Sequence, residues 1–206
     1  MIEANHAGDR PVISATAGLH PSAVVIGNVE IGDDVYIGPN AVIRADEPSA
    51  NGSVGAIKIE REANIQDGVI IHALGGTGVR IGQGTSIAHG AIVHGPTEIG
   101  ANCFIGFNSV IFKALLGDGV IVLHQALIED ATVPPGVMVP SMSALRSNED
   151  VIRLAPASSD LAEFALKVRQ TNVFLTEVSS LVRSARKSNR MENNHVRSIT
   201  SDRQNL

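Results

Sequence analysis

The chain has 206 residues and a formal net charge of -5, a balance that offers no basic field for nucleic acid. Hydrophobic residues make up 44% but aromatic ones only 3%, with no Trp, so a narrow interior of aliphatic side chains is expected rather than a ring-rich core. No apolar run approaches the ~20 residues of a membrane span, and MIEANHAGDRPVIS lacks the basic and apolar regions of a secretory signal. A cytoplasmic chain without membrane or nucleic-acid partners is the expectation.

Residues 1–18 read as a polar lead-in, and LHPSAVV (19–25) opens a repeat. Read in sixes, the chain continues IGDDVY (31–36), IGPNAV (37–42) and IRADEP (43–48), then resumes as IEREAN, IQDGVI and IHALGG (59–76). IGQGTS, IAHGAI, VHGPTE, IGANCF and IGFNSV follow over 81–110. An aliphatic residue leads each hexad, usually with Gly behind it and a small residue five places in. Neither the 3.6 period of a helix nor simple strand alternation fits. The pattern predicts an all-β solenoid over 19–140, a left-handed parallel β-helix of hexapeptide repeats with its lead aliphatics inside. Ile26 to Ile31 and Ile111 to Leu116 are five apart, which predicts tightened corners. The insertions 46–56 and 75–78 interrupt the hexads, and such loops often mark a solenoid's working face. Cys103, the lone cysteine, holds a small inward position and reads as a buried filler. Pro134 and Pro135 are expected to break the repeat.

Residues 141–187 form the C-terminal helical segment in this reading, with a short helix within 147–155. From Ser158, Leu161, Phe164, Val168, Leu175, Val178 and Val182 recur at helical steps, with Ser158, Ser159 and Asp160 as cap candidates. This amphipathic helix should lie along the solenoid and cover one face. Residues 188–206 are a polar tail, expected to be solvated and partly disordered, with a docking role as the alternative.

Three hexads make one triangular coil, and coils stack about 4.8 Å apart. His72 and His94 each follow a lead residue, Ile71 and Val93, three hexads apart, so they stack outside one face. Arg44 joins that column. His89 comes two places after Ile87, on the neighbouring face and round a corner from the pair. A three-fold homotrimer resolves the split, with His72 and His94 from one chain and His89 from the next. Three neutral imidazoles plus water make an open zinc site, with Zn–N distances of about 2.0–2.1 Å and a water whose pKa falls toward about 7. Fe²⁺ or Co²⁺ suits the same donors. A single histidine on a solenoid face is ordinarily a surface or interface residue. Three at consistent phases beside Arg44, Asp46, Gln66 and Asp67 are hard to explain that way. His124 falls in the column of His89 two coils away, about 10 Å along the stack, too far for the same ion.

IRADE (43–47), NIQDGVIIHAL (64–74), SIAHGAIVHGP (86–96) and NCFIGFNSVIF (102–112) closely resemble the γ-class carbonic anhydrases and the related N-terminal domain of a carboxysome scaffold protein. The similarity spans roughly 19–140, with a weaker echo around Asn172. The resemblance implies zinc ligands at His72, His89 and His94, and a glutamine at Gln66 that orients the hydroxide, with Asn64 near the same pocket. It implies an intersubunit ion-pair set at Arg44, Asp46 and Asp67. Glu47 matches a carboxylate suited to accepting the released proton, and Asn172 matches a helix asparagine near that path.

The stretch ALGGTGVR (73–80) departs from the family archetype, whose acidic loop carries a proton-shuttling glutamate; a short-loop subclass lacks it. The scaffold's Rubisco-like repeats are absent from this sequence. The expected activity is zinc-dependent reversible hydration of CO₂ to bicarbonate at trimer interfaces, by a carbonic anhydrase of the γ class. The alternatives are a non-catalytic, scaffold-like homologue that keeps the metal site, or a hexapeptide-repeat acyltransferase.

Overall fold

Aliphatic residues six apart reach one interior when each hexad supplies one short strand and one corner. The computed structural model of the chain, in which residues 1–176 are described, has this architecture: a three-sided parallel β-helix of about seven turns followed by helical segments. Its strands fall into sheets of eight, seven and eight. The first sheet includes Val42–Ala45, Ile70–Ala73, Ile92–Gly95 and Val110–Phe112. The second includes Ile57–Ile59, Val79–Ile81 and Thr97–Ile99. The third includes Tyr36–Ile37, Asn64–Ile65, Ser86–Ile87, Phe104–Ile105 and Ile121–Val122.

The lead residues fill the interior. Ile37, Ile43, Ile65, Ile71, Ile87, Ile105 and Ile111 are fully buried, each contributing about 1.5–3 kcal/mol of burial. The small residues five places into the hexads, such as Ala41, Ala63, Ala91 and Cys103, are buried beside them. Corners turn through left-handed backbone, and Asp34, Asn40, Asn102 and Asn108 take positive φ there, as Asn and Asp do most readily among residues with side chains. Gly27 has a positive φ and lies so close to Ala45 O that no Cβ fits.

Several boundaries differ from the sequence reading. Residues 1–18 are not a lead-in. Ile2–Glu3 pairs with Val25 and Ile26, and Val12–Ile13 pairs with Glu30 and Ile31, so they form the first coil. A polar loop between two short apolar dyads hides its hexad phase. The slip at Ile26 is also absent, because Val25 is the inward residue and registers with Ile43, six before Ile31 in the usual phase. The five-residue step at Ile111 to Leu116 is real and turns through Lys113 with φ 49°. Pro134 and Pro135 do not end the solenoid; they lie between strands Thr132–Val133 and Val137–Val139, and pairing continues to Ala144–Leu145.

Helix α1 spans Asn148–Val151, and the chain then returns as Ala155–Pro156, antiparallel to Val137–Met138. A second helix, α2, occupies 159–176 among the described residues. Ser158 caps it, its Oγ accepting from the Leu161 N–H at 3.3 Å. Leu161, Ala165 and Val168 pack on Ala88, Phe104 and Ile121, so α2 covers the third sheet. Phe164 meets Phe104 edge-on at 5.4 Å. Val178, Val182 and the tail 188–206 lie outside the described residues. No helix among the described residues is long and apolar enough to cross a membrane.

Burial pushes the Cys103 thiol up to about 11 from 9.0, since the thiolate would be desolvated. A raised folded-state value means the protonated thiol's contribution is intact below pH 9.0 and is lost as pH climbs toward about 11. Native protein at pH 8 should therefore label at Cys103 with a soluble maleimide at least ~100-fold more slowly than urea-unfolded protein, read by intact mass. Equal rates would contradict the buried placement.

Candidate metal centre on the first sheet

Parallel pairing puts equivalent hexad positions in columns. On the first sheet, Arg44 registers with His72, His72 with His94, His94 with Phe112 and Phe112 with Glu129. Nδ1 of His72 and Nε2 of His94 are 3.2 Å apart, with the rings edge to face at 5.0 Å.

The outer hydrogen bonds decide what lies between those nitrogens. His94 Nδ1 is 3.1 Å from Gly95 O, which can only accept, so the proton sits on Nδ1 and the Nε2 lone pair faces His72. His72 Nε2 is 3.2 Å from Asp46 Oδ1 and 3.4 Å from Arg44 Nη2. These two neighbours ask for opposite tautomers. The shorter contact, to the Asp46 carboxylate, favours the tautomer in which Nε2–H donates to Asp46 and the Nδ1 lone pair faces His94. In that tautomer the two inward lone pairs face one another, as two ligand atoms of one cation would. The 3.2 Å separation is also close to the edge, about 3.3–3.4 Å, of a tetrahedron of nitrogens around an ion at the usual Zn–N distance. Asp46 and the Gly95 carbonyl stand where the orienting partners of two ligating histidines would be needed. The donor set fits a divalent cation.

His89 stands elsewhere. It lies in the corner after Ser86–Ile87 of the third sheet, half exposed, with Nδ1 3.6 Å from Asp67 Oδ2. Its ring stacks on Phe107 at 5.5 Å, and Phe107 stacks on His124 at 4.4 Å, so Asp67, His89, Phe107 and His124 form a second column. Among the described residues, no three His, Cys, Asp or Glu side chains of one chain are grouped to hold a metal.

Glu47 lies at the edge of the first column, its Oε2 4.0 Å from His72 Nε2. Its Oε1 accepts from the Gly75 N–H at 3.0 Å. The insertions 46–56 and 75–78 occupy the same corner on successive coils and pack backbone to backbone. A Cβ on Gly75 would come within 2.2 Å of Pro48 O, so only glycine permits this approach. Sequence reasoning missed the tie between Glu47 and Gly75; the paired insertions were its only signal.

The expected ion-pair set divides. Arg44 Nε lies 3.8 Å from Asp46 Oδ2 within the chain, whereas Asp67 sits with His89 in the other column. Gln66 is buried on the third-sheet side, one residue before Asp67. Asn64, two before Gln66, is fully buried; its Nδ2 is 3.4 Å from Ser86 Oγ, and its Oδ1 has no partner among the described residues. A buried orphan acceptor marks a place for a missing donor. Burial, and then the charge of Asp67, keeps the Tyr36 phenol above its usual range, so Tyr36 stays a donor. Asn172 is on α2, and its Nδ2 donates to Val168 O at 2.9 Å.

Residues 10–45 and 78–113 match the family of bacterial transferase hexapeptide repeats. The chain is 32% identical over 171 residues to the carbonic anhydrase of Methanosarcina thermophila, covering 74% of this chain and 67% of that protein. It is 38% identical over 171 residues to the carboxysome assembly protein CcmM of Nostoc sp., covering 77% of this chain but only 30% of that protein. It is also 42% identical over 120 residues to the carnitine operon protein CaiE of Escherichia coli K12, 58% of this chain and 57% of that one. The crystal structure of a hexapeptide transferase family protein from Anaplasma phagocytophilum superposes with TM-score 0.69 at 23% identity, covering 86% of this chain and 96% of that one. That likeness is one of fold.

Proposed function

Since the chain belongs to the hexapeptide-repeat family that includes the Methanosarcina carbonic anhydrase, we propose that it is a trimeric, cytoplasmic γ-class carbonic anhydrase hydrating CO₂ to bicarbonate at sites between subunits. The approach of His72 Nδ1 and His94 Nε2 to 3.2 Å on one face, with His89 on a different face, is the observation that carries this reading. In this proposal a divalent ion, zinc by preference and Fe²⁺ or Co²⁺ by the same donors, is held by His72 and His94 of one subunit and His89 of the next. Such an ion supplies hydroxide at neutral pH by lowering the pKa of its water.

The other residues then have distinct tasks. Asp46 and the Gly95 carbonyl hold the two imidazoles in the tautomers that free the inward nitrogens. Gln66 and Asn64 belong to the side that brings His89, and their buried amides orient the reacting oxygen. CO₂ and water give bicarbonate and one proton, and that proton needs an acceptor. With Oε1 bound to the Gly75 N–H, Glu47 keeps Oε2 free on the His72 side to take it. Outward positions on the first sheet, Val42, Ile70, Ile92 and Val110, make an uncovered apolar stripe beside the histidines, which suits a subunit contact. Across that contact Arg44 would meet Asp67.

A second reading is a non-catalytic assembly homologue that retains the site. Similarity to carboxysome assembly proteins favours it, as does the absence of a carboxylate from 75–78. Metal analysis with stopped-flow CO₂ hydration separates the two: one ion per three-histidine site with hydration well above buffer supports the enzyme, and a loaded trimer without hydration supports the other.

His89→Ala and His94→Ala should each abolish tight metal binding. Mixing the two mutant proteins under subunit exchange should restore a minority of sites, because some interfaces join an intact His72–His94 pair to an intact His89. Elemental analysis that finds no recovery would place all three ligands in one chain.

Glu47→Ala should leave metal content and trimer mass unchanged while making hydration strongly dependent on a small imidazole buffer. Wild-type rates at low buffer would remove Glu47 from the proton path.

A further inference from the structure

The corner between the second and third sheets carries a column of its own. Backbone bonds stack it coil on coil: the Gly84 N–H donates to Arg61 O at 3.0 Å, the Asn102 N–H to Gln83 O at 2.8 Å, and the Gly119 N–H to Ala101 O at 2.8 Å. Glu62, Gly84, Asn102 and Gly119 hold one position on successive levels, with φ of 57°, 67°, 55° and 66°. At Gly119 the column lacks a side chain, and a Cβ there would meet nothing closer than Gly136 Cα at 3.9 Å. Helix α2 does not fill the space, because it lines this corner with Ala162 and Ala165. The result is a cavity of about 230 Å³, walled by Cys103, Ile121 and Leu166.

One charged side chain lines this cavity. Arg169 of α2 lies across Gly84, where a Cβ would come within 2.5 Å of its Nη1 and 3.2 Å of its Cδ. Nη1 donates to Asn102 Oδ1 at 2.6 Å, which holds the guanidinium at the corner. That acceptor is neutral. The carboxylates of the same corner are engaged elsewhere: Glu62, one coil before Gly84, gives Oε1 to Arg61 Nη2 at 2.8 Å, and Asp118, beside Gly119, accepts the Ala101 N–H at 2.7 Å. Arg169 thus has no carboxylate within ion-pair distance among the described residues. Burial keeps the Cys103 thiol protonated, and it donates to Gly117 O at 3.1 Å, so that wall carries no charge.

We infer that this cavity is a binding site for a short-chain aliphatic carboxylate, its head on Arg169 and its chain against Ile121 and Ala165 beside Gly119. A guanidinium presents paired N–H donors that match a carboxylate, and the Asn102 amide oxygen leaves most of them unused. The volume falls below the ~300–1,000 Å³ of pockets that take drug-sized ligands, so the body of the ligand is small. A sulfate or phosphate would turn its remaining oxygens toward Ile121, Ala165 and Leu166, which offer them no donors, whereas a hydrocarbon chain suits those walls. The site lies at a different corner from both histidine columns and does not depend on the carbonic anhydrase reading. A ligand there would join α2 to the solenoid and strengthen their packing.

The test titrates butyrate, and its neutral isostere butyramide, into the full chain and follows saturation transfer to the ligand by NMR. Phenanthroline is present throughout, so that the carboxylate cannot bind an ion at the histidines. Butyrate should bind saturably, and butyramide about ten-fold more weakly or worse, since it lacks the charge-assisted pair. Arg169→Gln should lose butyrate to a similar degree. Gly119→Asn places in the hollow the residue that the same corner already accepts at 102, so the fold is kept while butyrate affinity falls about ten-fold or more. Butyramide binding as tightly as butyrate, unchanged affinity in Gly119→Asn, displacement by equimolar sulfate, or no saturable signal from wild type overturns the inference. Should Arg169→Gln fail to fold, Arg169→Lys takes its place: the charge stays but the fork is lost, and affinity equal to wild type overturns the head-group contact.

Discussion

Parallel register is the constraint from which everything else in this molecule follows. When each strand pairs with the strand one coil away, a residue choice at one hexad position becomes one element of a vertical column about 4.8 Å per step. Interior columns tolerate this because isoleucine over isoleucine packs well. Outer columns do not tolerate repetition of charge, and the sequence varies them accordingly: Arg44, His72, His94, Phe112 and Glu129 succeed one another on one face. Two imidazoles on adjacent levels cannot avoid each other, and what lies between them is dictated by their outer hydrogen bonds.

The same register explains why so much was legible beforehand. The lead isoleucines, the three faces and the stacking of His72 on His94 follow from counting in sixes, because counting is what the ladder does. The misreadings fall where counting loses its anchor. Val25 and Ile26 are both aliphatic, and choosing the wrong one as inward produced a slip that the register with Ile43 removes. In residues 1–18 a polar loop separates Ile2 from Val12, so no hexad phase could be assigned, although both dyads pair in the sheets. Pro134 and Pro135 sit at a corner, where a missing N–H breaks no ladder bond.

At the site, the division of His89 from the other two histidines was readable from phase alone. The partners of those side chains were not. The tie of Glu47 to the Gly75 N–H joins two insertions of different length, and insertions carry no phase. The tautomers depend on Gly95 O and Asp46, a backbone carbonyl and a carboxylate at the start of the 46–56 insertion, whose contacts the hexad phase does not fix. Asn64 shows the reverse case: its motif was plain, but only the structure reveals an amide oxygen buried without a donor.

Dividing the proposed ligands between chains has an energetic consequence. A chain with only the His72–His94 pair offers an ion two nitrogens and little selectivity, and a chain with only His89 offers one. Neither half would need to be stable as a metal site, because the third nitrogen would arrive with the subunit contact. Metal affinity and assembly are then linked, each strengthening the other by the same free energy. The 3.2 Å approach of the two nitrogens would strengthen that linkage, because two ligand atoms already stand close to the spacing that one ion would require. In that proposal the monomer would lack the chemistry, and assembly would supply the three-nitrogen environment that the reaction requires.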